Sequence, residues 1–263
     1  QGLLQSVMIS DPFGRRSQFV WFYNFINIFT DPLYLKSIGI TLGFSLATAL
    51  TSIIFGLFLA SLANRALRAK ALIRTMLIWP YAVAPAISGI LWLFLLHPSF
   101  GVLAYFLKDR LGIDWNPMLS GTDALIMVVM ASAWKEVSYN FVFFMAGLQA
   151  VPHSLIEAAA MDGAGPFRRF WTITFPLLSP TFFFLMVMNI IYAFFETFGV
   201  IHTVTQGGPG GATNTLVYKV YQDGFIGLNL GSSAAQSVVL MILIVTITVL
   251  QFRFVERKVH YTV

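Results

Sequence analysis

The chain has 263 residues, 57% of them hydrophobic and only 10% charged, against about 25% charge in an ordinary soluble domain, so water is not its main solvent. Its formal net charge of +5 is scattered between apolar runs and forms no basic stripe, which argues against nucleic acid as a partner. The absence of cysteine excludes a disulfide framework and a thiolate metal site.

The first residues, Gln1 to Asp11, have no charged region ahead of an apolar run and no small-residue cleavage site, so they are not a signal peptide. The chain also begins without Met, which predicts a missing upstream segment. Five stretches, near 35–63, 71–97, 123–149, 177–204 and 233–254, are long enough to cross a hydrocarbon core, which takes about 20 mostly apolar residues as a helix. Each is predicted to be helical, because lipid leaves the backbone to satisfy its own hydrogen bonds and a barrel would show short alternating segments. The expected fold class is all-α, a polytopic membrane helix bundle with five transmembrane helices in this chain.

In the first span Gly39 and Gly43, then Ser52, Gly56 and Ala60, fall four apart, a register that lets another helix approach closely. That partner is either another helix of the same chain or a second subunit. The second span carries Pro80 and Pro85 in WPYAVAPA; each removes a backbone donor, so this helix is predicted to be kinked or broken. Between the fourth and fifth spans GGPGG, at Gly207 to Gly211, lacks the Lys-Ser or Lys-Thr of a phosphate loop and reads as a flexible turn.

Basic residues give the orientation. Arg65, Arg68, Lys70 and Arg74 follow the first span, Arg168 and Arg169 the third, and Arg253, Arg257 and Lys258 the fifth, which places these segments in the cytoplasm. The other side holds Arg15, Arg16, Lys36, Lys108, Arg110 and Lys219 beside Asp11, Asp31, Asp109, Asp114 and Asp223. Residues 1–33 are therefore expected outside and the C-terminus inside.

Charges also fall inside spans: Lys135 and Glu136 near the middle of the third, and Glu196 in the fourth. Such charges are costly in lipid and face a partner or a watery path. Glu136 and Asn140 are four apart, Asn189 and Glu196 seven apart, so each pair shares a helix face. These five residues are candidates for a substrate pathway; the alternative is that Lys135 pairs with a carboxylate only to hold helices together.

The loop 150–176, VPHSLIEAAAMDGAGPFRRFWTITFP from Val151 onward, carries the densest pattern. Ser154 and Glu157 have capping-box spacing, so a short helix is predicted to begin at Ser154 and to end at Gly163 and Gly165. Pro166 opens a second helix, with Phe167, Phe170, Trp171 and Phe175 available for an apolar face. Asp162 sits where the helix dipole disfavours an anion.

This loop resembles that of the permease subunits of bacterial ABC importers, whose signature is EAA, three residues, Gly, nine residues, Ile-x-Leu-Pro. Glu157, Ala158, Ala159, Gly163, Ile173 and Pro176 stand at that spacing, with Phe175 in place of Leu. The resemblance implies that Ser154, Glu157, Ala158, Ala159, Asp162 and Gly163 form a coupling helix docking on an ATPase subunit. It implies a single transmembrane domain over 1–263, a sixth helix upstream, and residence in a bacterial inner membrane. The implied partners are a second permease subunit, two ATPase subunits that bind ATP and magnesium, a periplasmic substrate-binding protein, and lipid; no cofactor belongs to this chain. PYAVAPA, SYNFVFF, EAAAMDGAGPFRRF and SSAAQSVVLM resemble members that carry glycerol-3-phosphate, so the implied cargo is that or a related phosphate ester, with a sugar or oligosaccharide as the alternative.

Two other classes compete less well. A secondary transporter would often show an internal repeat and leaves the EAA spacing unexplained. A membrane enzyme lacks HExxH, G-x-S-x-G and a cysteine nucleophile here, and no Walker motif is present.

Overall fold

The computed structural model describes residues 2–10, 17–65 and 70–254. Of the charges used for orientation, Asp11, Arg15, Arg16, Arg68, Arg257 and Lys258 lie outside the described residues, as do the side chains of Arg65 and Lys70.

In chain order the elements are α1 (Gly2–Ser6), β1 (Met8–Ser10), β2 (Ser17–Phe19), α2 (Tyr23–Thr30), α3 (Pro32–Arg65), α4 (Lys70–Ile78), a 3-10 turn (Trp79–Ala82), α5 (Pro85–Leu96), α6 (Val102–Leu111) and α7 (Gly121–Ala150). The second half continues with α8 (His153–Met161), α9 (Pro166–Arg169), a π-helical turn (Phe170–Thr174), α10 (Phe175–Leu177), α11 (Ser179–Phe195), α12 (Phe198–Val204), α13 (Leu216–Tyr221), a second π turn (Gln222–Ile226) and α14 (Leu230–Phe254). The architecture is the helical membrane bundle expected. Among the described residues α3 and α14 are each long and apolar enough to cross a membrane unaided, and three broken pairs (α4 with α5, α7 with α8, α9 and α10 with α11) bring the number up to five when each pair is counted as one span. The proline-bearing span is broken as predicted: Pro80 sits in the 3-10 turn and Pro85 starts α5.

The all-α expectation missed one detail. β1 and β2 pair antiparallel, with Met8 opposite Phe19 and Ser10 opposite Ser17. The pair is fastened to α2 by Asn24, whose Nδ2 donates to the Ser6 and Met8 carbonyls at 2.9 and 3.0 Å.

By internal contacts the described residues form two compact units, one within 1–47, 85–132 and 191–247, the other within 48–84, 133–190 and 248–263. The first is built round Phe44, Leu96, Met127, Val128, Val200 and Ile201, with a second cluster of Ile28, Tyr34, Leu216 and Leu240. Hydroxyls tie its helices: Ser88 Oγ donates to the Ala131 carbonyl at 2.9 Å, and Thr41 Oγ1 accepts from the Leu216 amide at 2.8 Å. In lipid such polar groups must find partners within the protein.

The second unit centres on Ile53, Ala60, Phe141, Phe144 and Leu185. Here the small-residue register of α3 is explained. A Cβ built on Gly56 would come 2.5 Å from Asn140 Cβ, so α3 and α7 touch nearly backbone to backbone. Ser52, Gly56 and Ala60 thus pack within the chain, whereas Gly39 and Gly43 are exposed with nothing within 4 Å of an added Cβ.

Candidate functional site

The predicted pair of short helices is present. α8 follows α7 at 66° and buries none of its residues: Ser154, Glu157, Ala158, Asp162 and Gly163 are exposed and Ala159 is half-buried. An alanine-rich helix with no apolar stripe against its own chain presents its side chains outward.

Its start differs from expectation. The N-cap is Pro152, with extended ψ of 123° and no side-chain cap bond, so α8 begins at His153 and Ser154 lies inside the first turn. Proline's fixed φ suits the junction, and the Ser154–Glu157 spacing has no capping role. The end follows expectation. Asp162 is the C-cap and Gly163 takes φ of +78°, a left-handed conformation natural only to glycine. The Gly163 amide donates to the Ala160 carbonyl at 3.1 Å and the Ala164 amide to Ala159 at 3.0 Å, the paired closure of a Schellman turn.

Gly165 then caps α9, which opens on Pro166. Arg168 is exposed, while Arg169 turns back and donates Nη1 to the Ile156 carbonyl at 3.5 Å. Phe170, Trp171 and Phe175 gather into one ring cluster, with Trp171 and Phe175 centroids 5.0 Å apart. The bend into α11 is 68°. Proline-bearing TFPLLSP and a π turn before it give that bend a local cause.

Four of the five intraspan residues lie in the second unit. Asn140 and Asn189 are wholly buried and bond each other reciprocally: Asn140 Nδ2 donates to Asn189 Oδ1 at 2.9 Å, and Asn189 Nδ2 to Asn140 Oδ1 at 2.7 Å. The remaining amide hydrogens go to the Glu136 and Leu185 carbonyls, and Ser52 Oγ stands 2.7 Å from Asn189 Oδ1. α3, α7 and α11 are thereby stapled at one level. Glu136 is 5% exposed and Lys135 9%; the Lys135 ammonium lies 5.5 Å from the Tyr81 ring centroid, a cation–π contact, and Tyr81 stacks on Tyr139.

Glu196 belongs to the first unit and is exposed. α11 stops at Phe195, and Glu196 and Thr197 form the turn before α12, so the expected unbroken helix through 204 is interrupted there. Thr197 Oγ1 bonds the Ala193 carbonyl at 3.0 Å, a local side-chain bond of the kind that bends a helix.

A polar cluster in the first unit went unpredicted. Lys219, 9% exposed, donates Nζ to both Asp223 oxygens at 2.9 and 2.8 Å and lies 3.7 Å from Asp31, and Gln236 Nε2 also donates to Asp223. The i,i+4 spacing of Lys219 and Asp223 was the available signal. Next to it burial, with Tyr221 adding, raises the Tyr218 phenol above its ordinary value. The phenol therefore stays neutral 3.5 Å from His202 Nδ1. GGPGG is a closed turn and not a loose one: Thr213 Oγ1 bonds the Gly208 carbonyl at 2.9 Å and Lys36 Nζ the Gly210 carbonyl at 2.9 Å.

With a bundle of broken spans and an exposed, glycine-terminated helix pair in place, the comparisons give the class. Residues 19–261 match the family model of binding-protein-dependent transport system inner membrane components, and the chain belongs to that family. It is 59% identical over 261 residues to the sn-glycerol-3-phosphate transport system permease protein UgpA of Rhizobium meliloti, covering 99% of this chain and 89% of that one. The protein of the same name in Yersinia pestis is 53% identical, covering 99% and 88%. Among solved structures, a bacterial ABC transporter importing the acidic polysaccharide alginate has the same fold, with a TM-score of 0.82 at 20% identity over 97% of this chain and 87% of its own. The MetNI methionine ABC transporter is more distant, at TM-score 0.59 and 18% identity over 87% and 97%.

Proposed function

We propose that this chain is the permease subunit of an ATP-driven importer that carries glycerol-3-phosphate or a close phosphate ester across a bacterial inner membrane. The carrying observation is the exposed α8, with Glu157 and Ala158 on its surface, Ala159 half-buried beside them and a left-handed turn at Gly163 closing it. A helix with no fully buried residue leaves surface free for another protein. The docking partner is an ATPase subunit, which binds ATP and magnesium and performs the hydrolysis; this chain acts as one transmembrane domain that transmits the stroke. Arg168 and Arg169 favour the cytoplasmic side for the loop. A second permease subunit and a periplasmic binding protein complete the assembly.

The cargo assignment rests on the high identity to proteins named for glycerol-3-phosphate transport. Lys135 is the intraspan cation suited to a phosphate on its path, with Glu136 beside it. In reconstituted vesicles, glycerol-3-phosphate-loaded binding protein should stimulate ATP hydrolysis and a sugar-loaded one should not; the reverse pattern replaces the cargo with a sugar. Lys135→Met should slow uptake of the phosphate ester several-fold, and an assembled variant working at the wild-type rate removes Lys135 from the substrate path.

A further inference from the structure

A cavity of about 330 Å³ opens in the second unit beside the two short helices. Its walls come from the end of α3, the ends of α7 and α8 that meet at Pro152, and α9 with the π turn after it. The polar lining is Ser61, Asn64, His153, Arg169 and Thr174, with no carboxylate among the described residues that form it. Among the described lining residues the Arg169 guanidinium carries the permanent charge.

That guanidinium is short of acceptors. Arg169 Nε is buried with no hydrogen-bond partner among the described residues, and Nη1 reaches the Ile156 carbonyl only at 3.5 Å. Buried donors are almost always satisfied, and a charged one left unsatisfied is the costlier kind. The Arg169 side chain lines a space large enough for a small oxyanion. Around it stand two hydroxyls, a side-chain amide and an imidazole, each able to donate. His153 is also the first residue of the nine-residue α8, whose N-cap makes no side-chain bond, so the positive end of that dipole lies at the same wall. A planar guanidinium pairs with two oxygens of a phosphate at once, which a single carbonyl cannot offer.

We propose that this cavity binds a phosphate group, either the headgroup of an anionic phospholipid or free inorganic phosphate, with Arg169 as its principal ligand. Lining residues come from α3 and from both short helices, so an occupied site braces the proposed ATPase-docking segment against the span that precedes it. The compartment supplying the phosphate rests on the cytoplasmic placement of the loop; binding itself does not.

The test uses the purified assembly of both permease subunits with their ATPase subunits, in nanodiscs of phosphatidylcholine alone or with phosphatidylglycerol. Equilibrium dialysis with radiolabelled inorganic phosphate in the phosphatidylcholine discs reads the free anion, and native mass spectrometry of the mixed discs counts retained phosphatidylglycerol. One of the two should bind the wild-type assembly and bind about tenfold or more weakly to Arg169→Met, the size expected for losing a charge-assisted pair. Arg168→Met, which removes an exposed charge of the same helix, should leave binding unchanged. Ser61→Leu keeps every charge and narrows the cavity, so it should also weaken binding, and it decides the matter where Arg169→Met fails to assemble. Phosphate binding without lipid retention identifies the free anion, and the converse identifies the lipid. If the wild type binds neither, or if Arg168→Met costs as much as Arg169→Met, the site does not exist. ATP hydrolysis stimulated by loaded binding protein is read separately, so failure of the importer assignment and failure of this site are distinguishable.

Discussion

Ser52, Asn140 and Asn189 lie wholly buried and bonded to one another, whereas α8, in the same unit, has no fully buried residue. The sequence singles out Ser52 as a small residue in register, the asparagines as polar residues on shared helix faces, and α8 by its EAA spacing. Their surroundings separate them. Inside a span an amide must be answered by the protein itself, and two asparagines facing each other answer both. On a loop the same small residues leave a smooth surface, and the chain adds only a cap and a glycine turn to hold its shape. The staple should therefore govern stability and the exposed helix should govern activity.

Substitutions can break that division, beginning with the largest effect on stability. Gly56→Leu forces a side chain into Asn140 and should cost about 3 kcal/mol or more, since overpacking of a tight contact is rarely absorbed. Thermal unfolding in detergent measures it, and wild-type melting would mean that α3 and α7 do not approach as described. Asn189→Leu should cost about 1–2 kcal/mol, because Asn140 is left without its partner. Asn140→Leu with Asn189→Leu should recover most of that loss, and a double variant melting lower than the sum of the singles contradicts the staple. Gly163→Leu meets no neighbour within 4 Å, so its cost is the left-handed backbone alone, about 1–2 kcal/mol at most. Its abundance should stay near normal while uptake falls sharply, and Gly163→Asn, which tolerates the conformation better, should retain more uptake than the leucine variant. Equal uptake by the two would detach the turn from function.

What could be read in advance follows from how local each feature is. The spans follow from composition, the break at Pro80 and Pro85 from the missing amide hydrogens, and the turn at Gly163 from glycine before a helix-opening proline; none needs a distant partner. The start of α8 was misplaced by one residue because Pro152 competed with Ser154 for the cap. Asn140 was visible as a polar intraspan residue, but nothing along the chain says that Asn189, 49 positions away, completes its hydrogen bonds. The same holds for Lys219 with Asp31 and for the Lys36 bond that helps close the GGPGG turn, both of which depend on groups brought together by tertiary packing. Glu196 was legible as a charge in an apolar run, yet it falls in a turn, where the Thr197 hydroxyl bonds back to the preceding helix.

The central claim is that α8 docks on an ATPase subunit at the cytoplasmic face. Met161, 88% exposed at the end of α8, offers the most direct test, because the chain has no cysteine of its own. A Met161→Cys permease, assembled with ATPase subunits bearing single cysteines round their docking cleft, should form a disulfide adduct in inverted membrane vesicles. That adduct should arrest ATP-driven uptake until a reductant is added. Labelling of Cys at 161 by an impermeant reagent from the periplasmic side, with no adduct to any ATPase position, would contradict the account.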